Sequence, residues 1–189
     1  MRDGQATRRR LLDAATAEFA AHGIAGARVD RIAAEAQANK AQMYAYFGSK
    51  EGLFDAVIEE HLDLLVATVP SSGDDLPGYA VGLYDFYLER PELVRLATWA
   101  RLERTPVGAL FTSLDEAEAD KVGAVVEGQQ AGSVTASIDA AEIHRLVVAL
   151  SATWGPASLT YTADRTEEEA VHQQRRHILA ETVRRAFAP

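Results

Sequence analysis

The chain has 189 residues, 48% of them hydrophobic and 25% charged, with no cysteine. That length admits one substantial core or a small domain joined to a larger one, and the missing cysteines exclude disulfides and thiolate chemistry and suit a cytoplasmic protein. The net charge of −9 argues against a general polyanion binder, yet residues 1–52 hold eight Lys/Arg against six Asp/Glu, a net of +2, while the remainder carries 11 against 22, a net of −11.

In chain order, the spacing predicts a first helix from Thr7 to about Ala21 with Leu11, Leu12, Ala15 and Phe19 as its inner stripe. Arg8, Arg9 and Arg10 precede that stripe. They form either a solvated basic turn or a group within reach of a phosphate backbone. Gly23 and Gly26 mark the exit. Val29, Ile32, Ala33 and Ala36 recur on one helical face, Asn39 is placed to cap a further helix, and Met43 and Phe47 fall four apart on that helix. Two short helices joined by about three residues are the outline of a helix-turn-helix DNA reader.

Ser49 caps a helix predicted from Lys50 to about Thr68, and Pro70–Asp75 reads as a loop. Tyr79, Leu83, Phe86 and Tyr87 stripe the next helix, and Pro91 opens another that runs through Trp99 to about Glu103 with apolar residues, Leu102 among them, on several sides. A helix carrying Leu114, Val122, Val125 and Val126 ends near Gly132. Two C-terminal helices each open on a predicted capping box, Asp139 with Glu142 and Thr166 with Glu169. The first is striped by Ile143, Leu146, Val147, Leu150 and Trp154 up to Gly155-Pro156. The second is striped by Val171, Ile178, Thr182, Val183, Ala186 and Phe187. No alternating strand pattern competes, so the fold class is all-α: a three-helix helix-turn-helix domain over 1–48 and a larger helical effector-binding and dimerisation domain over 49–189, about nine helices in all.

Over residues 7–66 the chain resembles the TetR family of transcriptional regulators. The resemblance rests on the spacing of Phe19, Gly23, Val29, Ile32, Ala33, Tyr44, Phe47, Lys50 and Leu53, including Tyr44-x-x-Phe47 and Ser49-Lys50-Glu51. Three positions depart from the family pattern: Gln37 replaces the usual turn glycine, Arg28 a capping threonine, and Ala41 a frequent glycine. A positive φ at Gln37 would cost roughly 1 kcal/mol relative to glycine.

At 100° per residue, Ala41, Gln42 and Ala45 occupy the outward arc of the second motif helix, flanked by Tyr44 and Tyr46, with Lys40 at its N-terminal end. Gln42 can pair bidentately with adenine or complete a capping box with Asn39. Lys40 can donate to guanine or remain solvated, and Tyr44 can face DNA or pack on the first helix. Thr7, Arg8, Arg28, Tyr44, Tyr46 and Lys50 are the phosphate candidates, by resemblance and by reach.

One such helix buries too little surface for specificity, so a homodimer on a palindromic double-stranded operator is expected. The two C-terminal helices are its predicted interface through Ile143, Val147, Leu150, Ile178 and Val183; the alternative is that these stripes are all internal core. The family resemblance implies a small-molecule effector whose pocket His61, Phe86, Trp99, Phe111, His144 and Trp154 could line. An apolar or aromatic compound suits that lining, although each of these residues could equally be plain core. A ligand-independent regulator and a helical protein-interaction module are the alternative readings.

Nothing points to an enzyme, a cofactor or a metal: no phosphate-binding glycine loop, no G-x-S-x-G and no paired histidines at helical spacing are present. His172 and His177 lie five apart, roughly 140° off one face. Glu167, Glu168 and Glu169 read as first-turn charges that favour the helix dipole. No apolar run approaches the roughly 20 residues needed to span a bilayer, and no signal peptide is evident.

Overall fold

The computed structural model describes residues 2–70, 75–110 and 115–189, and every regular element among them is an α-helix. They are α1 (Arg2–Gly26), α2 (Val29–Glu35), α3 (Lys40–Phe47), α4 (Lys50–Thr68), α5 (Leu76–Glu89), α6 (Pro91–Glu103), α7 (Asp115–Ala131), α8 (Ala140–Ser151) and α9 (Glu169–Ala186). The expected all-α architecture is therefore present. Phe111, Leu114 and most of the loop expected at Pro70–Asp75 lie outside the described residues. None of the described helices is long and apolar enough to cross a membrane.

The chain divides into two compact units, Met1–Leu64 with Arg95–Leu110, and Leu65–Val94 with Phe111–Pro189. The first unit extends well past residue 48 because α4 supplies part of its core. Leu53, Phe54 and Val57 are fully buried, and the Phe54 ring meets Phe19 edge-on at 5.2 Å. In the same unit α1 packs on α2 and α3, burying Leu11, Ala15, Phe19, Ile32 and Met43 completely. Each large apolar side chain removed from water there contributes about 1.5–3 kcal/mol.

Helix α1 begins at Arg2 rather than Thr7. The first six residues carry no apolar periodicity to announce them, whereas Thr7 is buried within the helix and its hydroxyl accepts from Arg10 Nη2 at 3.1 Å. The helix breaks at Gly23, whose φ of 72° and ψ of 179° leave the helical region. Around the break, Arg95 Nε and Trp99 Nε1 both donate to the Ala20 carbonyl, at 2.9 and 3.3 Å. The Ala25 N–H donates to the Glu103 carboxylate at 2.7 Å.

The turn of the helix-turn-helix is closed by backbone bonds from Gln37 N–H to Ala34 O and from Ala38 N–H to Ala33 O. Arg10 Nε adds a donor to the Ala36 carbonyl at 2.9 Å. Gln37 has a φ of 51°, the left-handed value that the missing glycine foretells. Gln37→Gly should relieve this and raise unfolding free energy by about 0.5–1 kcal/mol, read by urea denaturation. A loss of stability would show that the glutamine side chain contributes more than its backbone strain.

In the second unit α5 packs on α8 and α9, α7 packs on α8, and α8 also meets α9. Leu83, Val125, Ile143, Val147 and Val183 form the centre. Asp139 caps α8 by accepting from the Ala141 and Glu142 N–H groups, but Glu142 pairs with Arg145 at 2.5 Å, so only half of the expected capping box forms. The helix ends at Ser151, three residues before Trp154, and Trp154 lies in the turn that follows.

Helix α9 starts at Glu169, and its N-cap, Glu168, makes no side-chain cap. A reciprocal pair forms two residues earlier than expected, where Asp164 accepts from the Thr166 N–H and Glu167 from the Asp164 N–H. Its inward face is His172, Arg175, Leu179 and Val183, while Ile178 is 46% exposed and Thr182 and Ala186 face outward. The predicted stripe was displaced because two polar residues take inward positions. On α6, Leu96 and Ala100 are buried but Leu102 is 68% exposed, so that helix is not apolar-packed on every side.

Candidate nucleic-acid interface

Helix α3 places Met43 fully inside and leaves Lys40, Ala41, Gln42, Tyr44, Ala45 and Tyr46 exposed. This is the division that its periodicity predicts. The two alanines leave a low surface between the tyrosines, which allows a close approach to a groove. Asn39 caps the helix, accepting from the Gln42 N–H at 2.9 Å, and its own N–H donates to Gln42 Oε1 at 3.0 Å. Gln42 therefore completes the capping box in the free protein. Its acceptor oxygen is engaged, and the residue is solvent-exposed.

Lys40 Nζ reaches across the motif to Asp30 Oδ1 at 2.7 Å, joining α2 to α3. Hydrogen bonding to Asp30 holds the Lys40 ammonium above its ordinary pKa. Base contact by Lys40 thus competes with a partner that sequence reading missed, because the two residues lie ten apart on separate helices.

The surrounding basic residues divide sharply. Arg8 stacks its guanidinium 5.4 Å from the Phe47 ring centroid and remains exposed. Arg9 is paired with Asp13 and Glu60, and Arg10 with the end of α2. Thr7 is 6% exposed and its hydroxyl accepts from Arg10 Nη2. Lys50 folds back onto the Ala25 and Ala27 carbonyls at 3.4 and 3.3 Å. Arg28 is exposed, precedes α2 without a side-chain cap, and donates its N–H to Glu18 Oε1 at 2.8 Å. Burial opposes the Glu18 charge, but Arg31 and the Arg28 N–H prevail and hold its carboxyl below the ordinary value. Glu18 thereby clamps α1 to the start of α2. Tyr46 lies beside the first turn of α1, its hydroxyl 3.1 Å from where a Cβ on Gly4 would be.

The expected effector-lining residues do not belong to one unit. His61 and Trp99 are in the first, and the half-buried Trp99 indole lies against Gly23. Phe86, His144 and Trp154 are in the second. There Phe86 is buried edge-on to Tyr87, and His144 Nε2 meets the Tyr79 hydroxyl at 3.2 Å. Burial pushes the His144 imidazole below its ordinary pKa and raises that of the Tyr79 phenol, so both are neutral. Phe111 lies outside the described residues. A cavity of about 230 Å³ is lined by Leu76, Pro77, Val134, Val183 and Phe187 among others, and His61, Phe86, Trp99, His144 and Trp154 are not among its lining residues.

Of the expected dimer residues, Ile143, Val147 and Val183 have no exposed surface and belong to the protomer's own core. Leu150 is half-buried and Ile178 is exposed, and Leu146, 47% exposed, joins them as an apolar group on α8. Among the described residues, no group of three metal-ligating side chains is present.

Two short helices crossing at a tight turn, with an exposed outer face and a basic surround, define a helix-turn-helix DNA reader. Residues 11–57 match the model of the bacterial regulatory proteins of the tetR family, and residues 75–185 match the tetracyclin repressor-like C-terminal domain. The chain is 46% identical over 151 residues to the HTH-type transcriptional repressor SCO4008 of Streptomyces coelicolor, covering 79% of each protein. It superposes on the solved structure of SCO4942, also from Streptomyces coelicolor, with a TM-score of 0.82 and 38% identity, covering 96% of this chain and 98% of that one. A TetR family transcription regulator from Marinobacter aquaeolei VT8 shares the fold, with a TM-score of 0.74 and 21% identity, covering 100% of this chain and 99% of that one. The chain belongs to the TetR family and is a DNA-binding transcriptional regulator; the family is one of regulators rather than enzymes.

Proposed function

We propose that this regulator is a repressor that binds a palindromic operator as a homodimer and is released by a small aromatic effector. The observation that carries the reading is the outer face of α3, where Lys40, Gln42, Tyr44 and Tyr46 are all solvent-exposed around two alanines. Gln42 and Lys40 are the base readers in this account, with Arg8, Arg28, Tyr44, Tyr46 and Lys50 on the phosphates. Footprinting on promoter fragments flanking the gene tests it. The expected result is one protected site with two-fold sequence symmetry, its half-sites about one helical turn or more apart. Uniform, sequence-independent protection would contradict it.

Dimerisation is supported by the apolar groups that α8 and α9 leave on their outer surface, Leu146 and Ile178 foremost. Pairing those helices with their copies would build a four-helix interface and cover both side chains. Ile178→Asp places a charge at the centre of that surface. It should convert the dimer to monomer by light scattering at micromolar concentration while leaving the helical circular dichroism unchanged. An Ile178→Asp protein that stays dimeric would place the interface elsewhere.

A further inference from the structure

Inside the second unit, α9 turns two polar side chains inward, and neither is fully satisfied. His172 is 3% exposed and Arg175 is 9% exposed. His172 Nδ1 meets the Tyr84 hydroxyl at 2.7 Å, and Arg175 Nη2 donates to Glu167 at 2.7 Å. His172 Nε2 and Arg175 Nη1 are buried without a hydrogen-bond partner among the described residues. The Tyr84 oxygen also interacts with the Arg175 guanidinium.

A guanidinium has donors only, so Arg175 Nη1 is an unmet donor on a permanent cation. His172 Nε2 is a donor in the tautomer whose Nδ1 accepts from the Tyr84 hydroxyl. Leaving such groups buried and unmet is costly. The nearby carboxylates have donors of their own: Asp164 accepts from Thr166, and Glu169 accepts from Gln173 and Arg176. The Arg175 guanidinium lies 5.9 Å from the Trp154 ring centroid and 5.2 Å from that of Tyr161, and Trp154 stands edge-on to Tyr84 at 5.8 Å.

We infer that His172 and Arg175 form the anchor of a binding site for a small aromatic carboxylate, with Trp154, Tyr161 and Tyr84 as its aromatic walls. One planar anion can accept from Nη1 and Nε2 together, and a flat ring suits walls of this kind. This deepens the effector reading and rests on it for regulation, though not for binding itself. Trp154 was expected at an effector site; Tyr84, His172 and Arg175 were not.

The test uses the full chain, with benzoate and phenylacetate as probes and the uncharged benzamide as the matched control. Isothermal titration should show both acids binding and benzamide at least about tenfold weaker. Arg175→Gln should abolish the preference for acid over amide. Because that substitution also removes the Glu167 pair, His172→Phe serves as a second variant, and it should weaken benzoate several-fold with the unfolding curve retained. No binding of either acid at millimolar concentration, equal binding of benzamide, or unchanged benzoate affinity in both variants would overturn the site. Operator affinity measured with and without benzoate separates the two readings. Binding without operator release upholds the site and overturns its role as the effector site, whereas release by uncharged compounds alone overturns the carboxylate assignment.

Discussion

Gly23→Ala should destabilise the first unit by about 2–4 kcal/mol. Two costs add at that position. The φ of 72° is a conformation that an L-residue enters at a cost of about 1–2 kcal/mol. The new Cβ would also lie 2.5 Å from Glu103 Oε1 and 2.9 Å from Trp99 Cε3, where something must shift. What shifts matters for function, because Arg95, Trp99 and Glu103 of α6 hold the end of α1 through the Ala20 carbonyl and the Ala25 N–H. Loss of those contacts frees the segment that leads into α2 and the reading helix. Urea denaturation followed by tryptophan fluorescence should show the loss, since Trp99 reports on this contact. A Gly23→Ala midpoint equal to the parent's would mean that the break in α1 is not fixed by packing.

The second large effect separates two roles of one side chain. Gln42 caps α3 through Oε1 and is solvent-exposed, with its amide group the only donor it could offer a base. Gln42→Ala removes both roles: about 0.5–1 kcal/mol of capping and about 1–3 kcal/mol of base discrimination. Gln42→Glu keeps an acceptor for the Asn39 N–H and adds a negative charge where the helix dipole welcomes one. It cannot donate to a base, and it faces the phosphates with the wrong sign. Thermal stability of Gln42→Glu should therefore equal or exceed the parent's, while operator affinity falls by at least about tenfold. Parent-like operator binding by Gln42→Glu would reduce Gln42 to a cap and shift base reading to its neighbours.

The parts of this fold that could be read from the sequence are those where chemistry and period agree. Leu11, Ala15 and Phe19 on α1, Ile32 on α2 and Met43 on α3 are apolar, spaced for one face, and buried. Asn39 and Gln42 carry a local capping signal over three residues, and the box forms. Reading failed where a polar residue takes an inward position. His172 and Arg175 occupy the buried face of α9 because Tyr84, from α5, and Glu167, from the turn before α9, meet them there, and neither pairing follows from hydropathy. Hydropathy alone then assigned Ile178 and Thr182 to the wrong side. The same limit hid the Asp30–Lys40 pair, which depends on how α2 crosses α3. The start of α1 was hidden for a different reason: the residues before Thr7 carry no apolar periodicity, so the helix that begins at Arg2 shows no pattern there.

The central claim is that the exposed face of α3 reads an operator, and fluorescence anisotropy with a labelled palindrome across a salt series tests it most directly. Affinity should fall steeply and linearly on a logarithmic salt scale as phosphate contacts are lost, with a shallower slope for Arg28→Ala. Tyr44→Ala should weaken binding by about tenfold at fixed salt without changing the unfolding midpoint. Affinity independent of salt, or identical in the parent and Tyr44→Ala, would contradict the assignment of α3 as the reading helix.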